Sequence, residues 1–166
     1  CVHLGGGFHH AYRSYGSGFC LINDIAVSLR SLQERGWIER AAVLDCDVHQ
    51  GDGTAAIFKD DPRIFTFSMH QRRAFPYFKQ LSSLDIELED ETGDDEYLAA
   101  LSRALANIFD GSRQFDLIHY QAGVDPSAKD TLGNLRLSEA GLRERDRRVF
   151  AAASAAGNGP DLSGSV

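Results

Sequence analysis

Between Ala41 and Thr54 the chain reads AAVLDCDVHQGDGT. Ala41, Ala42, Val43 and Leu44 form an apolar run without alternation, the pattern of a strand covered on both faces, as in the parallel sheet of an α/β domain. Asp45, Asp47 and His49 then follow at every second position, and in an extended chain such residues point to one side. Two carboxylates and an imidazole converge where the strand ends. Three acceptors in one place call for a cation. The in-phase histidine and the Gly51-Asp52-Gly53 turn behind it separate this pattern from a polar loop whose aspartates only shape turns. Cys46, out of phase with the acids, is expected to face away from them as a small buried hydrophobe.

The rest of the chain alternates helices with strands. Ile22, Ile25, Ala26, Leu29 and Leu32 make one apolar stripe of a helix that Gly36 stops, with Asn23 or Asp24 at its start. Arg63 to His70 reads as a second strand, Phe75-Pro76-Tyr77 as an aromatic loop, and Leu84 to Leu88 as a half-exposed edge strand. Asp94 to Asp110 is a helix with acids in its first turn, closed by Gly111. Phe115 to Pro126 repeats the first strand's logic, an apolar run ending in Asp125, and Ser138 caps a last helix through Leu142, Val149 and Phe150. This order implies a mostly parallel sheet with helices on both faces, a three-layer α/β/α sandwich. Parallel strands end on one edge, so Asp47, His49 and Asp125 can meet although distant in sequence.

Two oxygens and one imidazole nitrogen, with a position left for water, are a catalytic zinc pattern that iron(II) or manganese also suits. The loop His3 to Ala11 carries three glycines and the tandem His9-His10, without the Lys-Ser/Thr of a phosphate-binding P-loop. These histidines are candidate proton carriers for a metal-bound water, and Asp45 and Asp52 are the spare carboxylates to orient them. Metal-assisted hydrolysis of an amide or ester is the reaction class, with Phe19 and Phe75 walling an apolar slot.

The 166 residues, 43% hydrophobic and 25% charged, suit one globular domain. A net charge of -7 argues against a nucleic-acid-binding body and against acidic membranes. No apolar run reaches membrane-spanning length and no signal peptide opens the chain, so a soluble, cytoplasmic protein is expected. Cys1, Cys20 and Cys46 are odd in number and widely spaced, which argues against a disulfide framework. The only methionine is Met69, so the chain reads as a piece of something longer.

The segments GGGFHHA, SGFCLINDIA, DCDVHQGDGT, SMH and YQAGVDP with DTLGNLRLSEAGLRERDRRVF have the order and spacing of the zinc-dependent histone deacetylase family, which includes bacterial acetoin-utilisation-type deacetylases. The resemblance covers nearly all of residues 3 to 150. The GGGFHH opening and Gln50 look closer to the class IV branch and its bacterial relatives than to class I. It implies the arginase/deacetylase fold, here incomplete. Residues 1–150 would be a partial deacetylase-like catalytic domain and 151–166 a divergent or disordered tail. By position, Asp47, His49 and Asp125 match the zinc ligands, His9 and His10 the paired histidines with His10 as general base, and Asp45 and Asp52 their respective orienting carboxylates. Gly18, through its carbonyl, and Phe19 match the acyl-lysine tunnel, with Phe75 opposite and Leu132 near its rim. Ser68, with backbone oxygens of Asp45, Asp47, His49 and Met69, matches a structural potassium site. The implied substrate is an acetylated lysine in a protein or a small acylated amine.

Family members complete the site with a Gly-rich segment bearing a tyrosine that donates to the oxyanion. Here AAASAAGNGPDLSGSV follows Phe150, and the strands that precede GGGFHH in the family are not in the sequence. The expectation is an active parent protein and an impaired isolated segment. Two rival readings remain. One is an acyl-lysine and zinc binder without catalysis; the other is an arginase-type hydrolase with two manganese ions.

Overall fold

Every strand pairing in the computed structural model, which describes residues 1–156, is parallel. The strands are β1 Ala41–Asp45, β2 Ile64–Gln71, β3 Leu84–Leu88 and β4 Leu117–Gln121, in the order β3-β2-β1-β4. Because β1 is central, its residues are all buried, which explains why it is apolar without alternation. Alternate β1 side chains enter different cores. Ala41 and Val43 pack with Ile25, Leu29 and Phe58, from helices α1 (Asp24–Glu34) and α2 (Asp52–Phe58). Ala42 and Leu44 pack with Tyr97, Leu101, Leu105 and Val149, from α3 (Asp94–Ile108) and α4 (Glu139–Ala156). Helices therefore cover both faces, and the three-layer sandwich of the arginase/deacetylase fold follows.

Local chemistry sets the helix limits. The Asn23 side chain accepts from Ala26 N and starts α1, Asp24 lies in its first turn, and Gly36 takes φ 68° just after its end. Ser138 Oγ accepts from Gly141 N at the start of α4. Two features differ from the sequence expectation. Gly51-Asp52-Gly53, read there as a turn, opens α2, a helix of seven residues that is too short to display an apolar period. The last helix, read from the sequence through Phe150, continues to Ala156. The remaining residues of the expected tail, 157–166, lie outside the described residues. Among the described residues no helix is long and apolar enough to cross a membrane.

Candidate metal centre and its paired histidines

The register of the sheet places the site. Asp45, the last residue of β1, stands opposite Ser68 on β2 and Gln121 on β4. Cys46 N donates to Gln121 O, and there the ladder between β1 and β4 stops. Beyond it the chain bends over Asp47–His49, yet burial still alternates: Cys46 and Val48 are buried in the core, while Asp47 and His49 face the opening at the sheet's edge. Cys46 thus turns away from the acids, as its phase requires.

Asp47, His49 and Asp125 each offer one ligand atom, and these atoms all lie within 4.8 Å of one another. His49 Nδ1 sits 3.1 Å from Asp47 Oδ1 and 3.1 Å from Asp125 Oδ2. Ligand bonds of about 2.0–2.2 Å in a tetrahedral site place ligand atoms roughly 3.3–3.6 Å apart, so this donor set fits a divalent ion with little movement. Backbone amides prearrange the carboxylates: His49 N donates to Asp47 Oδ1 and Val48 N to Asp125 Oδ1. Gly123 lets the two ligand segments touch, because a Cβ there would stand 2.7 Å from Asp47 Cα, and its φ is 58°.

The tandem histidines lie beside this cluster, their ring centroids 4.1 Å apart. Each has its own carboxylate. His9 Nδ1 is 2.6 Å from Asp45 Oδ2, and His10 Nδ1 is 2.6 Å from Asp52 Oδ1. With Nδ1–H donating to a carboxylate, Nε2 of each neutral ring is left as an acceptor. The loop is held from several sides: Thr54 N donates to His9 O, Asn23 Nδ2 to Ala11 O, and Asp24 accepts from Gly7 N and Phe8 N. Gly53 allows α2 to approach it, since a Cβ there would lie 2.6 Å from the His10 carbonyl carbon.

Charge in this pocket is strongly perturbed. Burial pulls the His9 pKa down, but Asp45, by charge and hydrogen bond, together with Asp47 and Asp125, raises it to about 9. His49 behaves alike: burial opposes the proton, and bonds to Asp125 and Asp47 carry it up to about 9. Burial would raise Asp47, yet the His49 bond and the His9 charge hold it low. Asp125 is pushed up by burial and by the neighbouring Asp47 carboxylate. A bound cation would take over the role these imidazolium protons play for the two acids.

Of the residues expected along the acyl tunnel, Gly18 and Phe75 are brought against His10. Gly18 has φ 51° and so little room that a Cβ would meet the His10 ring Cγ at 2.5 Å. The Phe75 ring stands edge-on to His10 at 4.9 Å. Phe19, with φ 63°, is fully exposed beside Gly18, and Leu132 is exposed on the loop after Asp125. Of the residues expected to hold potassium, Asp45 ends β1 opposite Ser68 on β2, Met69 follows Ser68, and Asp47 and His49 lie just past the end of β1.

Three supporting residues escaped the sequence reading. Tyr12 donates its hydroxyl to Asp52 Oδ2 at 2.9 Å, so Asp52 serves two partners. Asn23, expected only as a helix cap, also donates to His9 O, Ala11 O and Thr54 Oγ1. Buried Gln50 pairs with both backbone groups of Gln80 and donates to Asp85, tying the loop that bears Phe75 to the segment after β1. None of these bonds leaves a periodic signal. Only the density of polar residues around His9 and His49 hints at them.

The chain is an α/β sandwich of the arginase/deacetylase fold with a candidate metal centre at its strand ends. The histone deacetylase domain matches residues 1–163, and the chain belongs to that family. An uncharacterized protein of Picosynechococcus is 48% identical over 152 residues, covering 92% of this chain and 50% of its own length. Histone deacetylase 2 of Arabidopsis thaliana is 34% identical over 152 residues, covering 90% of this chain and 39% of its own length. The crystal structure of an HDAC homolog from Aquifex aeolicus superposes with a TM-score of 0.80 at 29% identity, over 89% of this chain and 42% of that one. The chain thus spans half or less of the length of these relatives.

Proposed function

We propose that this chain supplies the metal-binding and proton-transfer part of an active site that removes an acetyl or related acyl group from an amine, such as acetyl-lysine in a protein or a small acylated amine. The observation that carries the reading is the pairing of two histidines, each on its own aspartate, beside one three-ligand cluster. Such a pair can hold and move a proton next to a single ion.

Asp47, His49 and Asp125 would hold the ion, zinc first and iron(II) as the alternative. When bound, it supplies a Lewis acid for the acyl carbonyl and a water of lowered pKa. His10 is the general base: Asp52 fixes its Nδ1–H, so Nε2 is free to take a proton from water and return it to the departing amine. His9, more deeply buried and closer to Asp47, keeps its Nδ1 proton on the Asp45 side and would accept from the attacking water through Nε2. Gly18, Phe19, Phe75 and Leu132 form the acyl channel, Phe75 excluding water from His10. A potassium ion on Ser68 and the backbone oxygens of Asp45, Asp47, His49 and Met69 would stiffen the ligand strand. We place the protein with the bacterial acetoin-utilisation-type members, acting in the cytoplasm. Among the described residues only one cluster meets metal-ligand geometry, which favours one ion over the two-manganese alternative.

The test is metal content and acetyl-lysine peptide hydrolysis in the full-length protein, with His10→Ala and Asp125→Asn variants. His10→Ala is expected to keep its metal and lose about 10²–10⁴-fold in kcat. Asp125→Asn is expected to lose the metal. Peptide binding by metal-loaded wild type with no turnover would replace this reading with the binding-only one.

A further inference from the structure

Just beyond the last β1–β4 ladder bond, two backbone carbonyls, Cys46 O and Gly123 O, would be left inside the protein without a strand partner. Both belong to segments that carry ligands: Cys46 precedes Asp47, and Gly123 lies two residues before Asp125. A single side chain serves both. Arg145 of α4, 1% exposed, sends Nη1 to Gly123 O at 2.8 Å and to Cys46 O at 3.4 Å. Its Nε and Nη2 each lie 2.9 Å from Oδ1 of the adjoining Asp146, which also accepts from the Tyr120 hydroxyl. A guanidinium is costly to bury, and a core that needed only volume would use an apolar side chain at this position on the helix. Arginine's planar fork serves both carbonyls through Nη1 while Nε and Nη2 hold Asp146, all from one rigid group.

We propose that Arg145 is a positioning residue for the metal centre, setting the separation between the Asp47 and Asp125 segments by holding the two carbonyls from behind the sheet. It touches neither ligand nor substrate. The inference rests on the reading of Asp47, His49 and Asp125 as metal ligands. Its consequence is a change in affinity at a site whose ligands are all intact. Lysine at this position keeps the charge and loses the fork, so Arg145→Lys separates bridging from simple electrostatic support of the carboxylates.

The experiment is cobalt(II) and zinc(II) binding by chelator competition in the full-length protein, for wild type, Arg145→Lys, Arg145→Gln and Tyr120→Phe, with urea unfolding of each metal-free form. Both Arg145 variants are expected to bind about 10- to 100-fold more weakly, the range typical of lost ligand-supporting partners, and to show altered cobalt visible bands. Tyr120→Phe removes a bond from the same network without touching either carbonyl, and is expected to keep wild-type affinity whatever its stability. Arg145→Lys binding like wild type would overturn the proposal, as would affinity tracking unfolding stability across all four proteins. If neither Arg145 variant folds, the arginine is a determinant of the fold and the inference falls. Wild type that takes up neither metal sinks the metal reading itself, a result distinct from the others.

Discussion

Gly53→Ala puts the packing of the histidine loop to a direct test. Gly53 lies within α2, where alanine is favoured over glycine by about 1 kcal/mol, so propensity alone makes the change stabilising. The neighbours say otherwise. The new Cβ would stand 2.6 Å from the His10 carbonyl carbon and 2.7 Å from that of Ala11, backbone atoms with no rotamer to change. Relief needs a separation on the order of 1 Å between α2 and the loop, since carbon atoms settle at about 3.5–4.0 Å. That movement breaks Thr54 N to His9 O, now 3.0 Å, and stretches His10 Nδ1 to Asp52 Oδ1 from 2.6 Å past bonding distance. The first bond is worth about 1 kcal/mol and the charge-assisted one about 1.5–3. Against the propensity gain, the variant should lose about 1.5–3 kcal/mol, read as a lower urea midpoint with unchanged slope. Activity should fall further, about 10²-fold, because His10, the proposed general base, is displaced by that same distance. Gly93→Ala, whose Cβ meets nothing within 4 Å, is the control, expected within about 1 kcal/mol of wild type. A Gly53→Ala protein as stable as wild type would refute the tight loop–helix contact described above.

Metal affinity should depend on pH with a definite sign. His49, raised to about 9 in the metal-free protein, must shed its proton to bind, so affinity should climb about tenfold per pH unit from pH 6 and level off near 9. Equal affinity at pH 6 and pH 8.5 would contradict this. Without metal, the raised values of His9 and His49 stabilise the fold below about pH 6.5, and that contribution is lost as pH rises through about 9; urea midpoints across this range report it. Gln50→Ala leaves the Gln80 backbone groups unpaired and should cost about 1–3 kcal/mol, measurable by denaturation, with a rise in KM from the loosened Phe75 loop and little change in metal content.

The central strand was legible as an unbroken apolar run, and the candidate ligands as a twofold pattern behind it, with burial alternating from Cys46 to His49. Asp125 was legible for a different reason: parallel strands end together, and β4 pairs with β1. The helices of eleven residues or more showed their stripes, whereas α2, at seven, did not. Asn23, Gln50 and Arg145 stayed hidden for a common cause. Each acts through hydrogen bonds to backbone far along the chain, and such bonds depend on where the chain is led in space. No residue type or local spacing records them.

The strict twofold alternation from Asp45 to His49 also bears on how such a stretch can vary over generations. Substitution at Cys46 or Val48 alters only core volume. Deleting a single residue between Asp45 and His49 would exchange the two sides, driving an acid into the α3/α4 core and a core side chain into the opening. Cys46 and Val48 can therefore exchange among apolar side chains, but the length of the segment is fixed.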